Sequence, residues 1–241
     1  MQSRTKGIVI SETPYSETSK ILNILTEDFG LIGVISKGCR NVKNKLRGVS
    51  NKMNYCEYTI SYKENGLSTL IEGSIINSFK NSFVDMKKAM YSFYIIDLVN
   101  QVLKENNNKL IFGILRDALI KINDGLSPEL ISNIVEIKLL DYLGVSINLD
   151  NCVICGSEED LVTIDIANGG VICKNCYKDG YLFSNNGLRL MKILDKIDLS
   201  KIKTLEITDN DVFKEIDNFI YEYYSNYTGI YIRKKDNLLK I

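Results

Sequence analysis

The chain has 241 residues, and its 30 lysines and arginines are balanced by 30 aspartates and glutamates. This length allows a substantial apolar core in one large domain or in two to three small ones. Because the net charge is zero, any affinity for nucleic acid must come from locally clustered cations. No apolar run reaches the roughly 18 residues of a membrane span, and the N-terminus lacks the apolar core of a signal peptide, so we expect a cytoplasmic protein with no membrane partner.

The composition also limits the chemistry that the chain can perform. It contains no histidine, which excludes Ser–His and Cys–His catalytic dyads and histidine-ligated catalytic metals. We therefore expect a binding protein and not an enzyme.

Residues 4–79 have the pattern of a small β-domain. Apolar residues alternate with polar ones, and turns rich in glycine, asparagine and aspartate separate the runs. The predicted strands span 6–11, 19–26, 29–36, 55–62 and 67–76. Five strands in about 75 residues are typical of a small closed barrel, and we expect an OB-fold, a five-stranded barrel that often binds nucleic acid.

The apolar period changes from strand to helix after residue 80. The predicted helices span 82–105, 110–122, 127–143, 184–196 and 208–224. Ser127-Pro128-Glu129 supplies a cap, a proline at the first helical position and an early acid. We expect the helices before and after residues 151–178 to pack together in one helical domain.

Four of the six cysteines form two Cys-x2-Cys pairs, Cys152 with Cys155 and Cys173 with Cys176. This spacing is typical of a zinc site made of four thiolates, in which each pair holds one side of a tetrahedral ion. The residues between the pairs predict two short strands around a glycine turn, which is the hairpin of a zinc ribbon. Because protein ligands fill all four positions, we expect one structural Zn²⁺ ion. A redox pair and a chance cluster are the alternatives.

These patterns together predict an α+β multidomain fold, with an N-terminal five-stranded OB-fold barrel followed by an α-helical domain that carries an inserted four-cysteine zinc ribbon. The predicted boundaries are 1–79 for the barrel, 80–150 and 179–241 for the two parts of the helical domain, and 151–178 for the ribbon.

A cationic stretch lies between the third and fourth predicted strands. There is no acid between Asp28 and Glu57, whereas six cations fall in that interval: Lys37, Arg40, Lys43, Lys45, Arg47 and Lys52. Such a cluster predicts a phosphate-binding surface on the barrel. The alternative is a solvated loop whose charges are screened over about 8 Å at physiological salt.

Aromatic residues on the adjoining strands are candidates for base stacking, which often accompanies cations in single-strand binding. These residues are Phe29, Tyr55, Tyr58 and Tyr62. Tyrosine is also a common strand former, so the alternative is that these rings belong to the core.

Several of these segments resemble the RecO family of bacterial recombination mediators. In chain order, the matching residues are Gly7-Ile-Val-Ile, Tyr15-Ser-Glu-Thr-Ser-Lys-Ile, Leu25-Thr-Glu-Asp-Phe-Gly-Leu-Ile-Gly-Val-Ile-Ser-Lys-Gly-Cys-Arg, the four cysteines of the ribbon, Tyr221-Glu-Tyr-Tyr and Gly229-Ile-Tyr-Ile. The likeness covers the chain nearly end to end, and the ribbon places the chain with the zinc-bearing members of that family. It departs at Cys39, where a smaller residue is expected.

The resemblance implies a protein that binds single- and double-stranded DNA and anneals complementary strands. It implies partnership with RecR and with the C-terminal tail of the single-stranded-DNA-binding protein, and indirectly with RecA, which the protein helps to load onto coated DNA. Lys37 and Arg40 match the family's basic motif after the third strand, whereas Lys43, Lys45 and Arg47 match only a generally basic loop. We expect a location in the cytoplasm, with the nucleoid.

Two other functions are compatible with the residues alone. A protein–protein adapter would use the basic loop to bind acidic peptides, and would bind DNA only weakly. A nucleic-acid enzyme would need clustered carboxylates or a lysine in a recognisable motif. The compact acidic cluster, Glu158-Glu-Asp160, lies where a hairpin tip is predicted.

Overall fold

The structure, a computed structural model, describes residues 2–204, 209–235 and 238. The chain forms two compact units, Met1–Asp124 and Gly125–Ile241. The elements of the first unit are β1 (Gln2–Tyr15), β2 (Ser19–Thr26), β3 (Gly30–Ser36), α1 (Leu46–Val49), β4 (Tyr55–Ser61), β5 (Ser68–Asn77), α2 (Lys80–Val84), α3 (Met86–Glu105) and α4 (Ile111–Asn123).

The five strands of this unit close into a barrel in the order β1-β2-β3-β5-β4 and back to β1. All pairs are antiparallel except β3 with β5, which are parallel and meet only at Val34–Ser68 and Ile35–Thr69. Alternate residues of the strands point inward and form the core: Val9, Leu22, Ile24, Val34, Cys56, Tyr58, Ile60 and Leu70, with Val49 of α1. The five-stranded OB-fold barrel is confirmed.

Strand β1 is longer than its apolar pattern predicts, because its two halves pair with different neighbours. Gln2–Ile8 pairs with β4, and Gly7–Tyr15 pairs with β2. A bulge between Val9 and Ser11 shifts the register within the pairing with β2. The polar ends of β1 are therefore held by main-chain hydrogen bonds on the barrel surface, where side-chain periodicity gives little signal.

Helix α3 begins at a break that helical periodicity alone does not predict. Asp85 leaves the helical conformation, with φ −108° and ψ 117°, and its carboxylate accepts hydrogen bonds from the backbone N–H groups of Lys87 and Lys88. The predicted helix 82–105 is therefore two helices, α2 and α3. Both α3 and α4 contact β1, so these two helices belong to the same compact unit as the barrel. The predicted domain boundaries stay predictions.

The described residues of the second unit form three helices and a two-stranded hairpin: α5 (Pro128–Tyr142), β6 (Leu161–Asp165), β7 (Gly170–Cys173), α6 (Asn185–Lys196) and α7 (Asn210–Tyr227). Helix α5 is buried along most of its length and packs against both α6 and α7. The hydroxyl of Ser127 caps α5 as predicted, accepting from the N–H of Leu130. The predicted start of the last helix at Thr208 lies outside the described residues, and Asp209 caps α7.

A buried ion cluster joins α5, α7 and the C-terminal segment of this unit. The Lys235 ammonium lies 2.7 Å from a Glu136 carboxylate oxygen and 2.8 Å from an Asp217 oxygen. Burial lowers the pKa of Lys235, but the two carboxylates outweigh it and raise that pKa above its usual value. The Glu136 side chain is fully buried, so Lys235 supplies the cation that this carboxylate needs.

The N-terminus of α6 is also held by a carboxylate, from Glu215 of α7. Its two oxygens accept hydrogen bonds from the Ser184 N–H at 2.8 Å, the Ser184 hydroxyl at 2.6 Å and the Tyr181 hydroxyl at 2.7 Å. The hydrogen bond to Glu215 is the main reason that the pKa of Tyr181 is raised, to about 12. Gly187 leaves the space that this carboxylate occupies.

Among the described residues, no helix is long and apolar enough to cross a membrane.

Candidate nucleic-acid interface and metal centre

Residues Lys37–Lys52, here called the cationic segment, join β3 to β4 in an ordered series of turns. The Asn41 N–H donates to the Gly38 carbonyl at 3.0 Å, the Asn44 N–H to the Asn41 carbonyl at 3.1 Å, and the Arg47 N–H to the Asn44 carbonyl at 3.1 Å. The short helix α1 follows directly. The segment is therefore a hydrogen-bonded scaffold, and its cations start from fixed backbone positions.

The cationic segment is also tied to the turn between β1 and β2. The backbone N–H of Arg40 donates to the Thr18 carbonyl at 2.8 Å, and the Arg40 guanidinium donates to the Ser16 carbonyl at 3.3 Å. The Gly38 N–H donates to the Ser19 hydroxyl at 3.2 Å. The same turn carries the exposed carboxylate of Glu17, an acid that is distant in sequence but that the fold brings to the cations.

The inner side of the segment is part of the barrel. Cys39 is 1% exposed, and Val49 lies in the core. The Tyr58 hydroxyl donates to the Val49 carbonyl at 2.9 Å, and the hydroxyls of Ser36 and Ser50 lie 2.8 Å apart. One side of the segment thus completes the barrel core, and the other side faces solvent.

Five of the six predicted cations are exposed to solvent on this one segment. These exposed residues are Lys37, Arg40, Lys43, Lys45 and Arg47. Lys52 differs, because its ammonium lies 2.9 Å from the Asp97 carboxylate of α3 and 5.3 Å from the centre of the Phe93 ring. Its charge is already paired within the unit. The DNA-binding role of all six cations stays a prediction.

The four aromatic residues proposed as stacking candidates are engaged elsewhere. Tyr58 is 1% and Tyr55 7% exposed, and the Tyr55 ring packs against Phe112 of α4 with the ring centres 6.0 Å apart. Phe29 and Tyr62 stack on each other with the ring centres 4.3 Å apart, and both pack against the barrel core. Tyr58 therefore belongs to the barrel core, and Tyr55 is buried against α4 on the outer face of the barrel.

The four cysteines of the second unit converge on one point. Their Sγ atoms all lie within 4.8 Å of one another, and those of Cys155 and Cys173 are 3.6 Å apart. Four sulfurs placed about 2.3 Å from a tetrahedral metal ion would be separated by about 3.8 Å, so the four side chains can hold a metal ion.

Local backbone structure explains this convergence. The Gly156 N–H donates to the Cys152 carbonyl at 2.8 Å, which closes the first turn, and Gly156 adopts a φ of +78° that favours glycine. Cys173 is the last residue of β7, and the Cys176 N–H donates to its carbonyl at 3.0 Å. Strands β6 and β7 pair as an antiparallel hairpin between the two turns. Two cysteine turns joined by a two-stranded hairpin are the zinc-ribbon arrangement that the cysteine spacing predicts.

Hydrogen bonds differentiate the thiols of the cluster. The pKa of Cys152 is lowered to about 6, chiefly by a hydrogen bond from the backbone of Cys173. The pKa of Cys176 is raised to about 12, chiefly by its hydrogen bond to Cys155. The site thus stabilises a thiolate, the form of cysteine that binds a metal. The remaining cysteines, Cys39 and Cys56, are buried in the first unit.

Two family models match this chain. The family model "Recombination protein O N terminal" matches residues 1–79, and the model "Recombination protein O C terminal" matches residues 84–236. The chain belongs to the RecO family. The N-terminal match ends just after β5, at the end of the barrel.

Individual RecO proteins are similar over almost the whole chain. The DNA repair protein RecO of Bacillus pumilus (strain SAFR-032) is 32% identical over 239 residues, which cover 98% of this chain and 93% of the relative. The DNA repair protein RecO of Bacillus subtilis (strain 168) is 30% identical with the same coverage. That of Listeria monocytogenes serotype 4b (strain F2365) is 30% identical over 243 residues, covering 96% of this chain and 92% of the relative.

Proposed function

We propose that this chain is a recombination mediator that binds single- and double-stranded DNA through the cationic segment and performs no catalysis. In this proposal it anneals complementary strands and, with RecR, helps to load RecA onto DNA coated by the single-stranded-DNA-binding protein. The observation that carries the proposal is the set of five exposed cations on one ordered segment of the barrel. The relatives' name, DNA repair protein RecO, supports DNA as the partner.

The proposed mechanism is electrostatic. Cations that replace counterions along the phosphate backbone reduce the repulsion between two strands held on one protein. Because the turns of the cationic segment already order its backbone, little conformational entropy remains to be lost on binding. Phosphate contacts carry no base information, so the sequence would be read by pairing between the strands themselves.

We further propose that the four-cysteine cluster holds one Zn²⁺ ion with a structural role. Four thiolate ligands from the protein complete a tetrahedral shell and leave no position for an activated water. The ion would join the turn at Cys152 to the end of β7 and so stabilise a hairpin of only two short strands.

Annealing of complementary oligonucleotides coated with the cognate single-stranded-DNA-binding protein tests the function directly. Lys37→Glu with Lys43→Glu should slow annealing and weaken binding of a labelled oligonucleotide, while thermal unfolding stays unchanged because both side chains are exposed. Wild-type affinity in this double variant would contradict the proposal and favour the protein–protein adapter. Cleavage or joining of DNA in the presence of Mg²⁺ would contradict the absence of catalysis.

A further inference from the structure

We propose that Tyr15 and Phe83 are stacking platforms for unpaired bases, one at each end of the cationic segment, so that a single strand runs along the segment between the two rings. This inference rests on the proposed DNA-binding function and specifies which form of DNA the site prefers. Neither residue is among the aromatic candidates that the strand pattern suggests.

Tyr15 marks the first end of the path. It is the last residue of β1 and is 50% exposed. The next residue, Ser16, has a φ of +55°, and its carbonyl accepts the hydrogen bond from the Arg40 guanidinium at 3.3 Å. The tyrosine ring is thus attached to a turn that the cationic segment itself fixes, beside the first arginine of that segment.

Phe83 marks the second end. It lies on α2, is 50% exposed, and packs edge-on against Phe93 with the ring centres 6.0 Å apart. The Phe93 ring also contacts the Lys52 ammonium, which lies 5.3 Å from the ring centre. Phe93 therefore connects the exposed ring of Phe83 to the last residue of the cationic segment.

The sequence on either side of Phe83 carries a net positive charge. Residues 80–88 contain three lysines and one acid, and the carboxylate of that acid, Asp85, is engaged by the backbone of the following helix. The lysines are Lys80, Lys87 and Lys88. An exposed aromatic ring among cations is the combination that single-strand binding proteins use, because every base has a face that can stack.

The two rings would add a selectivity that cations alone lack. Phosphates are present in single strands and in duplexes, so the exposed cations bind both. A stacking platform needs a base that is unpaired and unstacked, and the bases of a duplex are both paired and stacked. Tyr15 and Phe83 would therefore strengthen binding to single strands only, and would release the DNA once it is paired.

Affinities of ring-deletion variants for single and double strands test this inference. Tyr15→Ala and Phe83→Ala, made separately, should each weaken binding of a labelled oligothymidine about 5- to 150-fold. Binding of a duplex should not change, and the slope of log affinity against log salt should stay the same, because no phosphate contact is lost. The ring-retaining variants Tyr15→Phe and Phe83→Tyr should bind like the wild type.

An exposed apolar residue without a ring serves as the matched control for Phe83. Val84, next to Phe83, is 88% exposed. Replacing it with serine should leave single-strand affinity unchanged. If Val84→Ser weakened binding as much as Phe83→Ala, apolar contact with α2, and not stacking on the ring, would account for the loss.

Three further results would overturn the inference: wild-type single-strand affinity in either alanine variant, an equal loss of affinity for the duplex, or an altered salt slope. These outcomes are distinguishable from a failure of the proposed function. If Lys37→Glu with Lys43→Glu weakens both forms of DNA while the alanine variants have no effect, the function stands and the stacking platforms do not. If the charge reversal has no effect, the proposed function itself is wrong.

Discussion

The salt dependence of DNA binding separates the cations that contact phosphates from those that the fold has already paired. We consider the neutral double variant Lys43→Gln with Lys45→Gln, and Lys52→Gln as the matched control. All three side chains belong to the cationic segment, but the Lys52 ammonium is 2.9 Å from the Asp97 carboxylate. The first variant should therefore remove two phosphate contacts, and the control should remove none.

The expected magnitudes follow from the number of exposed cations. For a single strand, each phosphate contact contributes about −0.7 to the slope of log affinity against log salt, so five exposed cations give about −3.5 and the double variant about −2.1. Between 50 and 200 mM salt, wild-type affinity should fall about 130-fold and that of the double variant about 20-fold. The Lys52→Gln variant should keep the wild-type slope.

Fluorescence anisotropy of a labelled oligothymidine, titrated at four or five salt concentrations, measures all three slopes. A slope for Lys52→Gln that is as shallow as that of a single Lys43→Gln variant would refute the reasoning, because the pair with Asp97 would then be broken in the complex. If the double variant keeps the wild-type slope, Lys43 and Lys45 do not contact phosphates.

Three predictions concern the second unit and its stability. Cys155→Ser should lower the metal content from about one zinc per chain towards zero, measured by elemental analysis of the purified protein, and a full equivalent of zinc would contradict the four-ligand site. Lys235→Met should lower the free energy of unfolding by about 3–5 kcal/mol, because it removes the cation that lies 2.7 Å from the buried Glu136 carboxylate. A loss below about 1 kcal/mol, typical of an exposed pair, would show that water reaches the cluster. Gly187→Ala should destabilise by about 1–3 kcal/mol because the added methyl group displaces the Glu215 carboxylate from its hydrogen bonds to Ser184 and Tyr181. As its control, Gly113→Ala on α4 should stabilise by about 0.5–1 kcal/mol, because alanine is the better helix former and, among the described residues, no atom of another element lies within 4 Å of the added carbon. Urea unfolding measures both glycine variants, and changes of the same sign would contradict this account.

The barrel and the cysteine cluster could be predicted because their signals are local in sequence. Burial on one face of a strand imposes a period of two, which places Leu22 and Ile24 in the core. The spacing of Cys152 and Cys155 likewise specifies a turn that brings two sulfurs to one side of an ion. In both cases, residues a few positions apart carry the whole pattern.

The missed features depend on contacts between distant residues. Lys52 and its partner Asp97 are 45 residues apart, so the segment alone gives six cations where the fold leaves five exposed. Alternation correctly puts Tyr55 and Tyr58 on different faces, but α4 covers the outer face and buries Tyr55 as well. Periodicity shows which face of a strand is apolar, and not which element will cover the other face.

The ion cluster around Lys235 has a consequence for how the protein is synthesised. The strand pairings of the barrel involve no residue after Asn77, so the barrel can close while the ribosome is still translating the helices. Lys235, whose ammonium donates to the buried Glu136 carboxylate, is encoded 99 residues after it. Nascent chains that stop before Lys235 should therefore carry a finished barrel and an unfinished helical unit, and cellular proteases would remove them on that account.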